Sequence, residues 1–353
     1  MTASEKLRLF FRYVRMGLWR GEETYTGQAL STEDWKQLFR LAHSQGVTGL
    51  FIDGVARDSM RPENGLWDQW IAHLFYLEQA NRYIAQRGEA WIKRLADADI
   101  SASVFKGSSV GDWYPEPLHR SHGDIDIVIS DGWGRLEPML VQEEREPYRS
   151  DEDEIILEEK NGLLVEFHRR WECLYNPWTN RRLQQWCRNA KTVDNELYLV
   201  CLILHIQRHF LTYGIGLKQV CDVAVMWHRA SLDRNRVASL LRSLHAERFS
   251  RLLFGFIAIH LGSVEDFPLP PVTEGKGFEL LNDVILHEGY NLKMEQELVA
   301  GSKSWAMARI VSNAAFWTKR SCRVFRIMPG EACCFLLYKA MERMKKLIKI
   351  KHT

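Results

Sequence analysis

Two aspartates one residue apart, Asp124 and Asp126, stand in the run Asp124-Ile125-Asp126-Ile127-Val128-Ile129. Its β-branched density, with Gly123 before it and Ser130-Asp131-Gly132 after it, predicts a strand. Side chains alternate faces along a strand, so both carboxylates share one side, about 6–7 Å apart along the backbone. Glu166 lies on another predicted strand, with Leu164 and His168 on its own face. If the strands pair, three acids converge. Two bare carboxylates about 4 Å apart repel by roughly 4 kcal/mol at an effective dielectric of about 20, so the group is unfavourable unless a cation binds it. Oxygen ligands of this kind suit Mg²⁺, with Mn²⁺ as its substitute, the ion's shell being completed by water and phosphate oxygens. Upstream, Gly107-Ser108 closes a predicted strand and opens a helix, where unpaired backbone N–H groups favour phosphate. Lys106 and Arg120 are the nearby cations that could add charge. A phosphate clamp facing three metal-binding acids is equipment for phosphoryl or nucleotidyl transfer.

The elements that must position these groups are legible in outline. From Lys6 to about Tyr83 the pattern is helical, Ser31-Thr32-Glu33-Asp34 reads as a helix start, and Gly46 and Pro62-Glu63-Asn64-Gly65 break the segment into short helices. A longer helix is predicted over Leu77–Ala98, followed by a strand at 101–105 and a helix from Lys106-Gly107-Ser108-Ser109 through Trp113 and Tyr114 to the stop at Pro115. Glu154–Glu159 and Leu163–His168 read as two strands joined by Asn161-Gly162, a strong hairpin signal. From Asn195 the chain returns to helix, with a weak boundary at Asp266–Pro271. The expected fold class is α+β: a small mixed β-sheet core at 84–190, embedded between an N-terminal helical region at 1–83 and a C-terminal helical domain at 191–353.

Lys106-Gly107-Ser108, Tyr114-Pro115, Arg120, Gly123-Asp124-Ile125-Asp126 and Val165-Glu166-Phe167-His168 together resemble the polymerase-beta-type nucleotidyltransferase superfamily. The likeness is greatest to a large bacterial group of uncharacterised nucleotidyltransferases. The superfamily's pattern is a Gly-Ser or Gly-Gly helix start, an acid-x-acid strand and a third acid on a later strand, matched here by Gly107-Ser108, by Asp124 and Asp126, and by Glu166. Fifteen residues, Ser109–Gly123, separate the first two parts, a longer spacing than is usual, and Glu166 stands where many members have Asp. A weaker similarity continues through Leu204–Phe210 and Leu217–Asp222, which implies that His205, His209 and Asp222 help to close over nucleotide or acceptor. The resemblance implies Mg²⁺-dependent transfer of a nucleoside monophosphate from an NTP to an acceptor hydroxyl or phosphate, with release of pyrophosphate. Asp124 and Asp126 would hold the metal that bridges the triphosphate. Glu166 would ligate a second ion or take the acceptor's proton. Lys106, Gly107, Ser108 and Arg120 would hold phosphate. A competing reading is a non-catalytic nucleotide- or partner-binding accessory protein with the same fold. A sugar-nucleotide glycosyltransferase ranks lower, because its Asp-x-Asp normally follows a βαβ region and here the preceding hundred residues read as helical.

Composition narrows the partners. The chain has 353 residues, 47 Lys+Arg against 45 Asp+Glu, and 46% hydrophobic residues, which excludes a disordered or bulk polycationic protein. Without a basic, aromatic-interleaved groove signature, nucleic acid is not expected as partner, and a small molecule, a sugar or a protein side chain is the expected acceptor. Seven Cys without a Cys-x-x-Cys pair fit reduced thiols. With no signal-peptide pattern and no apolar run of about 20 residues, the expected location is the cytoplasm. Charge is unevenly spread: Glu143–Lys160 carries nine acids and three bases, Lys319–Thr353 ten bases and two acids. That basic C-terminal helix could touch a membrane surface or a partner, although such runs are more often solvated faces.

Overall fold

The computed structural model describes residues 1–21, 28–159, 161–188, 193–212, 214–262, 266–288 and 306–350. The N-terminal helices are α1 (Ala3–Trp19), α2 (Thr32–Ser44), α3 (Thr48–Ala56) and α4 (Asn64–Asp97). The middle segment is β1 (Ser101–Val104), α5 (Gly107–Gly111), β2 (Asp124–Asp131), α6 (Trp133–Gln142), β3 (Arg149–Ser150), β4 (Glu154–Glu158) and β5 (Leu164–His168). Helices α7 (Pro177–Arg188), α8 (Asn195–Leu211), α9 (Leu217–Arg229), α10 (Arg234–Ser243), α11 (Glu247–Phe256), α12 (Lys276–Asp283), α13 (Ala306–Val324) and α14 (Pro329–Ile350) follow. The architecture is α+β, a small mixed sheet flanked by helices.

Two expected boundaries move. The long helix begins at Asn64 rather than Leu77. Its first half exposes Ile71, Phe75 and Tyr76, so its apolar period is blurred there. Helix α5 stops at Gly111, and Trp113 and Tyr114 lie in tight turns beyond it, their N–H groups bonding Val110 and Gly111 carbonyls. Ser31 does cap α2, accepting the Asp34 N–H at 3.2 Å. Arg343 and the side chains from 345 on, which carry the expected surface contact of the basic C-terminal helix, lie outside the described ones. No described helix is long and apolar enough to cross a membrane.

The sheet runs β1-β2-β5-β4-β3, with β2 and β5 parallel and the other neighbours antiparallel. Alternation splits it into two faces. Ile125, Ile127, Ile129, Val165, Phe167, Ile155 and Leu157 form one apolar cluster with Trp91 and Leu95 of α4 and Leu136 and Leu140 of α6. The opposite face carries Asp124, Asp126, Glu166 and His168 and looks toward α8 and α9. A second, larger cluster joins the N- and C-terminal helices and reaches Phe105, Val128 and Trp171. Within it, α1 and α3 touch backbone to backbone: a Cβ on Gly17 would sit 1.9 Å from Leu50 O, and one on Gly54 1.9 Å from Tyr13 O.

Candidate active site

The parallel register sets Asp126 beside Glu166, and the antiparallel hairpin sets Glu154 beside His168. Asp126, Glu166 and His168 each offer a ligand atom within 4.8 Å of the others. His168 Nε2 donates to Asp126 Oδ1 at 2.8 Å and lies 3.7 Å from Glu166 Oε2, while its Nδ1 is 3.5 Å from Glu154 Oε1. Lys106 Nζ reaches the same Asp126 oxygen at 3.2 Å. Burial alone would raise Asp126, but the Lys106 ammonium and the His168 hydrogen bond overcome it and hold the carboxyl far below its ordinary range. Its neighbours lack such close partners. The Asp124 carboxylate makes no hydrogen bond or ion pair among the described residues, and burial followed by Asp126 repulsion raises its pKa. Glu166, under burial and then the charges of Asp126 and Asp124, is pushed up to about 7.

Lys106 is held by strain and by α8. Its φ of 60° with ψ of −152° is a conformation that L side chains rarely adopt, and Gly107 follows at φ 44°. The Tyr198 hydroxyl on α8 accepts the Lys106 N–H at 2.9 Å and shares a 2.7 Å hydrogen bond with Ser109. The N–H groups of Gly107 and Ser108 have no partner among the described residues, as the first turn of any helix leaves them.

The facing wall is cationic. Helix α9 starts at Leu217 because Gln45, buried at the end of α2, accepts the Leu217 N–H through Oε1 at 2.9 Å and the Lys218 N–H through its carbonyl at 3.1 Å. The Lys218 stem then runs over Gly46, where a Cβ would meet Lys218 Cβ at 3.3 Å. Its ammonium forms no hydrogen bond or ion pair among the described residues, and burial, then Arg120, depresses its pKa. Arg120 and Asp222 neutralise each other: Nε donates to Oδ1 at 2.7 Å and Nη2 to Oδ2 at 2.6 Å, and the Tyr114 hydroxyl adds a 2.7 Å bond to Oδ1. Arg208 Nε and His205 Nδ1 converge on buried Glu172 at 2.8 and 2.9 Å. Burial and the Lys106 charge take His205 down to about 4, so it is neutral at physiological pH.

These walls enclose a cleft of about 460 Å³, a size usual for small-molecule sites. Lys106, Gly107, Arg120, Asp124, Asp126, Glu166, His205, His209 and Asp222 all line it, and Ser108 does not. The tight ligand group contains His168 where the sequence offered Asp124, which stands on the same face. His205 and His209 belong to no metal-ligand group among the described residues. Sequence reasoning named neither His168 as a ligand nor Lys218 as a site residue. The signals were present: His168 is two residues beyond Glu166 on one strand, and Lys218 is one helical turn before Asp222. A family model described as an uncharacterised nucleotidyltransferase matches residues 31–262, a span that holds every residue lining the cleft. No curated protein and no solved structure matches the chain.

Proposed function

Since the chain belongs to the uncharacterised nucleotidyltransferase family, we propose that it transfers a nucleoside monophosphate from an NTP to an acceptor hydroxyl or phosphate and releases pyrophosphate. One observation carries this reading: acids with no cation in hydrogen-bond reach, Asp124 and Glu166, and an unpaired cation, Lys218, line the same cleft. Neither set neutralises the other directly, and a metal–triphosphate ligand would satisfy both.

The donor set fits a divalent cation. Carboxylates suit Mg²⁺ or Mn²⁺, the imidazole of His168 is better tolerated by Mn²⁺, and the elevated pKa of Glu166 marks negative charge in need of a counter-ion. Asp124, Asp126, Glu166 and His168 would hold the ion, and when bound it would neutralise charge on the phosphates and on the attacking oxygen. Lys106 fixes the Asp126 carboxylate in place. Lys218 and the open amide of Gly107 bind phosphate oxygens. Where Glu166 is not on the ion, it would take the acceptor's proton. Most of the rate then derives from positioning and fixed charge.

Calorimetry with each NTP, with and without Mg²⁺, followed by a pyrophosphate-release assay over a metabolite extract, tests the assignment. Wild type is expected to bind NTP in a metal-dependent manner and to release pyrophosphate, and Asp126→Asn to lose both. Turnover by Asp126→Asn at the wild-type rate would refute the site. Binding without release under any acceptor would favour the accessory protein.

A further inference from the structure

A second cavity of about 950 Å³ lies between α10 and α11, the start of α12 and the junction of α13 with α14. It shares no lining residue with the sheet cleft, so a ligand bound here is independent of the reaction proposed for that cleft. The floor is apolar: Leu244, Leu252, Ile327 and Met328 are each no more than 3% exposed. The rim is cationic. Arg248, Lys276 and Arg326 are exposed and make no hydrogen bond, ion pair or ring contact among the described residues. Arg251 uses its Nε on Pro270 O at 2.8 Å, which leaves its terminal nitrogens available.

The acids of the rim do not cancel these charges. Glu331 is turned into the protein, where it accepts the Tyr175 and Asn176 N–H groups at 2.7 and 3.2 Å. Glu247 faces Arg242 at 3.8 Å, and Glu274 is the remaining exposed carboxylate. An inorganic anion has no use for the apolar floor, and a neutral apolar ligand has none for the cations. A ligand that satisfies both carries an apolar body and an anionic head. We propose that this groove binds an amphiphilic anion, an alkyl or similar apolar chain with a phosphate head, the chain over Leu252 and Met328 and the head among Arg248, Lys276 and Arg326. Such a ligand exists either free in solution or as the headgroup region of an anionic bilayer.

Titration with dodecyl phosphate below its micelle concentration, with dodecyl maltoside and inorganic phosphate in parallel, tests the groove on the full chain. Dodecyl phosphate is expected to bind saturably and the other two about tenfold more weakly or less well still. The double variant Arg248→Glu/Arg326→Glu, on exposed positions, is expected to weaken dodecyl phosphate by about tenfold while leaving the circular dichroism spectrum and NTP binding unchanged. Cosedimentation with phosphatidylglycerol vesicles, lost in the same variant, would identify the bilayer source; dodecyl phosphate binding without cosedimentation would identify the free one. Equal affinity for the maltoside, or indifference to the charge reversal, overturns the proposal.

Discussion

Lys218 keeps a positive charge in the wall of the cleft without an anion in ion-pair reach among the described residues, and its depressed pKa records what that burial costs the fold. Removing the charge should therefore separate stability from binding. Lys218→Met is expected to leave the melting temperature unchanged or raise it, while NTP affinity falls roughly tenfold to a hundredfold, the value of a charge-assisted phosphate contact. Lys218→Arg should recover part of the affinity. A melting curve and a calorimetric titration on each variant decide it, and a Met variant that binds NTP normally sinks the role. Glu166 gives the complementary test at the acidic wall. Burial and the Asp126 charge raise its pKa from 4.5 to about 7, so the folded state holds this proton more tightly than the unfolded chain. In chelator-treated protein, the contribution of Glu166 to stability is then fullest below pH 4.5 and declines as pH rises to about 7, by at most about 3 kcal/mol. Divalent cation should reverse the decline. Urea unfolding across this pH range should show wild type losing stability relative to Glu166→Gln as pH rises.

Single elements place these side chains, and some do so across long sequence separations. The turn between α2 and α3 is the clearest case, since Gln45 caps α9 and Gly46, at φ 68°, leaves room for the Lys218 stem. Gly46→Ala should therefore destabilise the protein by about 1–2 kcal/mol through left-handed strain and should also weaken NTP binding by displacing Lys218. Intact NTP affinity in a destabilised Gly46→Ala protein would confine the turn to a purely structural part. This coupling explains which parts of the site could be read in advance. Asp124, Asp126 and Glu166 share one sheet face because strand alternation and an Asn-Gly hairpin are local, period-two signals. Lys218 owes its position to a capping residue more than 170 positions earlier, at 45, and no local pattern carries that contact. The continuity of α4 from Asn64 through Leu77 is illegible for another reason: with Ile71, Phe75 and Tyr76 turned outward, the hydrophobic period of its first half does not separate an inner from an outer face.

At the scale of the whole molecule, near-neutral charge conceals a division of labour. Three of the nine acids in the stretch after α6 are paired with bases from elsewhere: Arg94 on Glu143, Arg170 on Asp153 and Arg87 on Glu159. The cleft holds buried charges without such partners, Asp124 and Lys218, and the second groove holds exposed ones. Between these extremes stands Arg120–Asp222, a buried pair that ties the loop ahead of β2 to α9 and so joins the two walls of the cleft. Asn81 of α4 fixes the same loop by donating to Leu118 O and Arg120 O at 2.6 and 2.8 Å. A buried ion pair holds a fold together less by its own attraction than by the penalty for breaking it, since either partner left alone is an uncompensated charge. Arg120→Met is accordingly expected to cost about 3–5 kcal/mol, and Asp222→Leu a similar amount. The double variant should recover most of that loss, because no charge remains to be solvated. It should nevertheless bind NTP poorly, with the two walls no longer held in register. Urea denaturation of the four proteins gives the coupling energy. Additive losses in the double variant would mean that Arg120 and Asp222 act separately, and that the cleft walls are joined by packing alone.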